Sequence, residues 1–220
     1  MLKIKKSFFI YRNFLFFMLN FNTVGGLIMV ILGIDPGTAI VGFGIVEYIN
    51  KTFTVLDYGC IYTEKDMEMP KRLNIIYEEL NNLIKKYKPE YIAIEDIFYF
   101  KNNKTVISVS QARGVILLCA EQNNLKISAY TPLQVKMGIT GYGRSEKKQI
   151  QKMVQRILKL KEIPKPDDAA DALAIAVTHI NELNSKLSMY SNNISVKKIK
   201  NIPNKITASE FKNLFAGEKK

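Results

Sequence analysis

Three strand-like apolar runs follow one another between residues 30 and 61, and from there helical and strand-like periods alternate. That order leaves few folds open. Val30-Ile31-Leu32-Gly33-Ile34 is too short and too continuous for an amphipathic helix and reads as a buried strand. Residues 42–49 and 52–61 alternate in β-rich composition, and Asn50-Lys51 between them is the length of a tight hairpin. Leu73, Ile76, Tyr77, Leu80, Leu83 and Ile84 then recur at helical spacing up to Lys88-Pro89. A strand over 91–95, a helix over about 106–120 and a strand over 126–130 come next. Thr131-Pro132 opens a short helix, a glycine loop spans Gly138 to Gly143, and a basic helix runs from Ser145 to about Leu160. Pro164 and Pro166 break that run, and Asp167 caps a last, alanine-rich helix. Three antiparallel strands followed by alternating helices and strands predict an α/β fold, a mixed five-stranded sheet with helices on both faces.

Acids stand at the ends of these elements. The first run stops at Asp35, which Pro36-Gly37-Thr38 follow, and Tyr91-Ile92-Ala93-Ile94 stops at Glu95. A buried strand ending in an acid delivers that acid to the rim of the sheet. Asp168 and Asp171, three apart, share one face of the last helix. Alanines at 169, 170, 172, 174 and 176 let that helix approach the sheet closely, bringing both aspartates to Asp35. Gathered at one point, four carboxylates repel one another unless cations neutralise them, and hard oxygen ligands with room for water suit Mg²⁺ or Mn²⁺.

The chain around this acidic site carries a net charge of +12. Residues 1–28 contribute four basic side chains and no acid, and residues 182–220 eight basic and three acidic. Within the remainder, 131–166 hold nine basic residues against Glu146 and Glu162, immediately before the aspartate pair. Lys136, Arg144, Lys147, Lys148, Lys152 and Arg156 belong to this stretch, and a phosphate backbone would be gripped there. A solvated helix face is the plainer account of such a run; position beside the acids argues for the grip. An acidic metal site on a basic chain outlines a nuclease.

The two ends read differently. Residues 1–28 hold apolar stretches, but Arg12 and Asn13 interrupt them, well short of the roughly 20 residues of a membrane span. We read 1–28 as a leader outside the core, with Met29 as the true start, 29–181 as one domain, and 182–220 as a basic flexible tail. Cys60 and Cys119 stand alone in apolar stretches, the pattern of buried, reduced thiols in a cytoplasmic protein.

Leu32-Gly33-Ile34-Asp35-Pro36-Gly37-Thr38, Ile94-Glu95, Gln111-Ala112-Arg113-Gly114, Gln134-Val135-Lys136, Thr140-Gly141-Tyr142-Gly143 with Lys147, and Asp168-Ala169-Ala170-Asp171-Ala172-Leu173-Ala174 through Thr178-His179 together resemble the RuvC family of Holliday junction resolvases. Each string is weak alone, but all stand in the family's order from Met29 to about Asn181. The resemblance implies a ribonuclease H-like fold, a homodimer, and paired cuts in strands of like polarity at four-way DNA junctions, in partnership with the branch-migration proteins RuvA and RuvB. It matches Asp35, Glu95, Asp168 and Asp171 to the metal-binding catalytic acids. Lys136 and Lys147 match basic residues at the edge of the active site, and Phe98 an aromatic that stacks on a base near the crossover.

Phosphodiester cleavage needs an in-line water, a stabilised leaving oxygen and relief of phosphate charge, which two metal ions roughly 3.5–4 Å apart supply. Asp35, on the central strand, is the expected bridging ligand, with Glu95 on one metal and Asp168 and Asp171 on the other. Lys147 is expected to place its ammonium against developing phosphate charge, or else to contact the backbone with no share in the chemistry. His179, two turns past Asp171, is expected to make a structural hydrogen bond near the site. Two other readings compete. Residues 33–38 also resemble the phosphate hairpin of actin-like ATPases, although the chain is short for two such domains. A junction-binding protein with dead chemistry is the other, and the presence of all four acids argues against it.

Overall fold

The computed structural model describes residues 28–96 and 103–193. The leader 1–27, Phe98 and the chain beyond Asn193 lie outside the described residues. A five-stranded sheet forms the centre, in the order β3-β2-β1-β4-β5. Strands β1 (Ile28–Asp35), β2 (Ile40–Ile49) and β3 (Thr52–Tyr62) are antiparallel, whereas β4 (Tyr91–Glu95) and β5 (Lys126–Tyr130) run parallel to β1. The expected mixed sheet is therefore present, and so is the hairpin. Asn50 and Lys51 both take positive φ, 50° and 65°, the backbone of a type I′ turn whose twist matches the flanking strands.

Helices cover both faces. Helix α1 (Met69–Tyr87) and helix α2 (Asn103–Gln122) pack on one face, where Leu32, Ile34, Ile92 and Ile94 meet Ile76, Leu80, Ala112, Ile116 and Cys119 in a fully buried cluster. Helix α5 (Asp167–Asn193) takes the other, and the approach is tight. A side chain placed at Gly33 would lie 2.1 Å from the carbonyl oxygen of Ala172, and one at Gly42 would lie 2.1 Å from that of Asp168. Only glycine in the strands and alanine in the helix let the backbones come this close, as the run of alanines predicts.

Between them, helix α3 (Pro132–Thr140) starts with a capping box, Thr131 accepting from the Gln134 backbone while the Gln134 side chain accepts from Thr131. Helix α4 (Lys147–Ile157) follows, with Glu146 and Gln149 forming a second capping box. Three boundaries differ from the sequence reading. Gly138 lies inside α3 and not in a loop, because its bare Cα accommodates Thr178 of α5, whose methyl group would be 2.7 Å from a Cβ there. Ser145 does not open α4: it is buried and bonds the Tyr142 carbonyl and the Thr140 hydroxyl. Helix α5 runs on to Asn193, past the point near Asn181 where the apolar period fades, since no glycine or proline interrupts residues 182–193. The compact unit that carries the site ends at Asn181.

Candidate active site

Strand parity sets the site. Leu32 and Ile34 face α1 and α2, so Gly33 and Asp35 face α5; on β4, Ile92 and Ile94 face α1 and α2, so Ala93 and Glu95 face α5. The parallel register pairs Ile34 with Ile94, which sets the next residues, Asp35 and Glu95, side by side at the strand ends. Across the other edge Asp35 pairs with Gly42, against which the Asp168 turn of α5 is seated. The loop after Asp35 is pinned in turn. Thr63 donates to the Thr38 carbonyl and accepts from the buried Arg72 of α1.

The electrostatics follow from crowding. Burial, then the charges of Glu95, Asp171 and Asp168, push Asp35 from 3.8 up to about 8, and it shares a hydrogen bond with Glu95. Glu95 is raised by burial and by Asp171. Asp171 is raised chiefly by burial, against the pull of Lys147. Burial opposes the charge on Lys147, but its bond to Asp171 and the fields of Asp171 and Asp167 outweigh that and raise it. The Lys147 ammonium lies 2.9 Å from Asp171 Oδ2 and 3.5 Å from Asp167 Oδ2. A proton between Asp35 and Glu95 and the ammonium on Asp171 thus balance part of the negative charge.

Beside the acids opens a cavity of about 260 Å³, lined by Glu95, Asp171, Lys136, Lys147 and an apolar floor that includes Val135, Ile150 and Ile175. The donor set is all carboxylate oxygen, which suits a hard divalent cation, and burial raises Asp35, Glu95 and Asp171 above the usual carboxylate range. As arranged here, no three acids among the described residues gather tightly enough around one point to hold such an ion. A bound cation would replace both the shared proton and the ammonium on Asp171.

Asp35, Glu95, Asp168, Asp171 and Lys147 therefore come together as the spacing predicts, and Lys136 joins them at the cavity wall. Arg144, Lys148, Lys152 and Arg156 are exposed outside it. Lys159, also in the basic run, lies beyond the end of α4 with φ at 52°. His179 is buried; its Nδ1 lies 2.6 Å from the Tyr130 hydroxyl, and the Tyr91 and Tyr130 rings pack on it, a structural setting. Two roles escaped the sequence reading. Asp96, just past β4, pairs with Arg113 at 3.0 Å and ties α2 to the end of that strand. Asp167, read there as a cap, pairs with Lys147 and accepts from Gln151 at 3.0 Å.

Residues 31–179 match the family description "Crossover junction endodeoxyribonuclease RuvC". A curated protein of that name from Fusobacterium nucleatum subsp. nucleatum is 61% identical over 188 residues, covering 85% of this chain and 99% of the relative. The chain belongs to the RuvC family. It is accordingly an endonuclease of the crossover-junction class, within a family of metal-dependent nucleases. Among solved structures, T. thermophilus RuvC in complex with Holliday junction substrate superposes with a TM-score of 0.69 at 33% identity, covering 72% of this chain and 96% of that one. The yeast mitochondrial Holliday junction resolvase Ydc2, at 14% identity and a TM-score of 0.55, shares the fold and covers 74% of this chain and 81% of its own. The sheet order and the two helical layers are those of this ribonuclease H-like group.

Proposed function

We propose that this RuvC-family chain resolves four-way DNA junctions by paired cuts in strands of like polarity, with Mg²⁺ (Mn²⁺ as a substitute) held by Asp35, Glu95, Asp168 and Asp171. The observation that carries this is the convergence of four carboxylates from β1, β4 and α5 beside a lysine-rimmed cavity. Bound there, two divalent ions would neutralise phosphate charge and lower the pKa of the attacking water. The chain's own part is to gather charge where a cation needs it. Asp35, raised to about 8, has to surrender its proton before it serves as the central ligand. Lys147 presents an ammonium at the mouth of the cavity, where charge develops on the phosphate. Lys136 lines the same cavity beside Val135, Ile150 and Ile175.

Grip is separate from chemistry. Lys148, Lys152 and Arg156, exposed at four-residue spacing on α4, neutralise backbone phosphates without reading bases, and Arg144 extends that surface. Phe98 stacks on an unpaired base in this reading. The homodimer forms through α2. Its buried face is spent on the core, yet Ile107 and Leu118 are 65% and 55% exposed, and space is open around Gly114. Residues 107, 111, 114 and 118 follow the spacing of a helix-pair seam. A dimer would present two active sites to two strands of one junction. The further proposals are action with RuvA and RuvB in the cytoplasm, where the free Cys60 and Cys119 stay reduced, and a domain over 29–181 with Met29 as its start.

The test compares a four-way junction with a linear duplex of the same arm sequences, each with Mg²⁺ or EDTA. Symmetric nicks in the junction with Mg²⁺ alone support the reading. Equal cutting of both substrates, or cutting in EDTA, would refute it.

A further inference from the structure

Four side chains form a ladder between α4 and α5. Lys147 and Gln151 are one turn apart on α4, and Asp167 and Asp171 are one turn apart on α5. The ammonium of Lys147 contacts both aspartates, at 2.9 Å to Asp171 and 3.5 Å to Asp167. Gln151, 9% exposed, donates its amide to the remaining oxygen of Asp167 at 3.0 Å. Asp171 faces two demands, since the same carboxylate is the partner of Lys147 and, in the function proposed above, a cation ligand. It serves one of them fully at a time. A lysine left with no other partner would then swing free on four rotatable bonds, losing the position that gives its charge any leverage on the phosphate.

We infer that Asp167, fixed by Gln151, is a positioning residue that retains the Lys147 ammonium at the cavity mouth when Asp171 turns to a divalent cation. Asp167 suits that task because it is more solvent-exposed than Asp171, so its charge stays available, while the buried Gln151 amide restricts its rotation. The ladder also sets how strongly the lysine competes with the cation. With Asp167 present, Asp171 releases the ammonium to a neighbour. Without it, release leaves an unpaired ammonium, and cation binding weakens.

This inference rests on the proposed role of Lys147, and the experiment separates the two. Wild type, Asp167→Asn, Asp167→Glu, Lys147→Ala and the Asp167→Asn/Lys147→Ala double variant are compared in three measurements. These are single-turnover junction cleavage at saturating protein, junction affinity, and the Mg²⁺ midpoint of the thermal shift of the DNA-free protein. For Asp167→Asn we expect cleavage about tenfold slower with junction affinity within about twofold, and a severalfold higher Mg²⁺ midpoint. Asp167→Glu should recover most of the rate, which a merely structural role for the aspartate would not produce. Lys147→Ala should lower the Mg²⁺ midpoint, and adding Asp167→Asn to it should change nothing further. Slow cleavage by Lys147→Ala beside normal cleavage and a normal Mg²⁺ midpoint in Asp167→Asn would overturn the positioning role alone. Normal cleavage by Lys147→Ala would overturn the proposed role of the lysine, and the positioning role with it. Additive effects in the double variant would show that Asp167 acts elsewhere.

Discussion

Replacing Asp35 by asparagine should stabilise the protein in EDTA, and by an amount that grows with pH. Asp35 titrates at about 8 in the fold against 3.8 as its ordinary value. The sign follows from proton binding. Below pH 4 both folded and unfolded chains hold this proton, and the residue costs nothing. As pH rises from 4 to 8 the unfolded chain releases it while the folded chain retains it, so stability falls throughout that window. Each pH unit is worth about 1.4 kcal/mol, so at pH 7 the cost reaches at most about 4 kcal/mol. Asparagine is neutral at every pH and close in shape, and it can donate to Glu95 as the protonated acid does. Its gain should therefore be near zero at pH 4 and about 1–4 kcal/mol at pH 7, or roughly 3–12 °C in Tm for a domain of this size. Differential scanning calorimetry at pH 4, 5.5, 7 and 8, in EDTA and then in Mg²⁺, tests this. Mg²⁺ should raise the wild-type Tm at pH 8 and leave Asp35→Asn nearly unmoved. A variant no more stable than wild type at pH 8 in EDTA would refute the argument that these acids are held together under repulsion.

Gly33→Ala should unfold the protein or cost more than about 3 kcal/mol, since its new methyl would lie 2.1 Å from the Ala172 carbonyl and force α5 off the sheet; thermal melts read this directly. The triple change Lys148→Gln, Lys152→Gln, Arg156→Gln should weaken junction binding and lessen its salt dependence in filter-binding titrations, the slope falling by about 0.9 for each phosphate that is no longer neutralised. An unchanged slope would mean that this face of α4 points only to solvent. Leu118→Asp should convert a dimer to a monomer in sedimentation equilibrium without lowering Tm by more than a few degrees, because Leu118 is 55% exposed in the single chain.

Much of this site was legible because period and parity are local properties. Strands that alternate by two fix which face an end residue takes, so Asp35 and Glu95 follow from Ile34 and Ile94 being core. Alanines on α5 announce a close approach, and the glycines of β1 and β2 are where the structure receives it. What escaped depends on partners distant in sequence. Gly138 has the composition of a loop, and only the proximity of Thr178 explains why a helix keeps it. Asp167 reads as a cap in sequence but is the first residue of α5, and its bonds to Gln151 and Lys147 need the angle between two helices that no window of sequence encodes. Arg113 lies within a recognisable string, yet its partner Asp96 is 17 residues away on another element.

The central claim is that the four carboxylates serve chemistry while the basic surface supplies affinity. Single-turnover cleavage of a four-way junction by wild type and Asp35→Asn, each with Mg²⁺ and with EDTA, alongside junction affinity in EDTA, tests it most directly. The account predicts cutting by wild type in Mg²⁺ alone, none by Asp35→Asn in either condition, and junction binding by the variant at least as tight as wild type. Substantial cleavage by Asp35→Asn, or loss of its junction binding together with its cleavage, would contradict it.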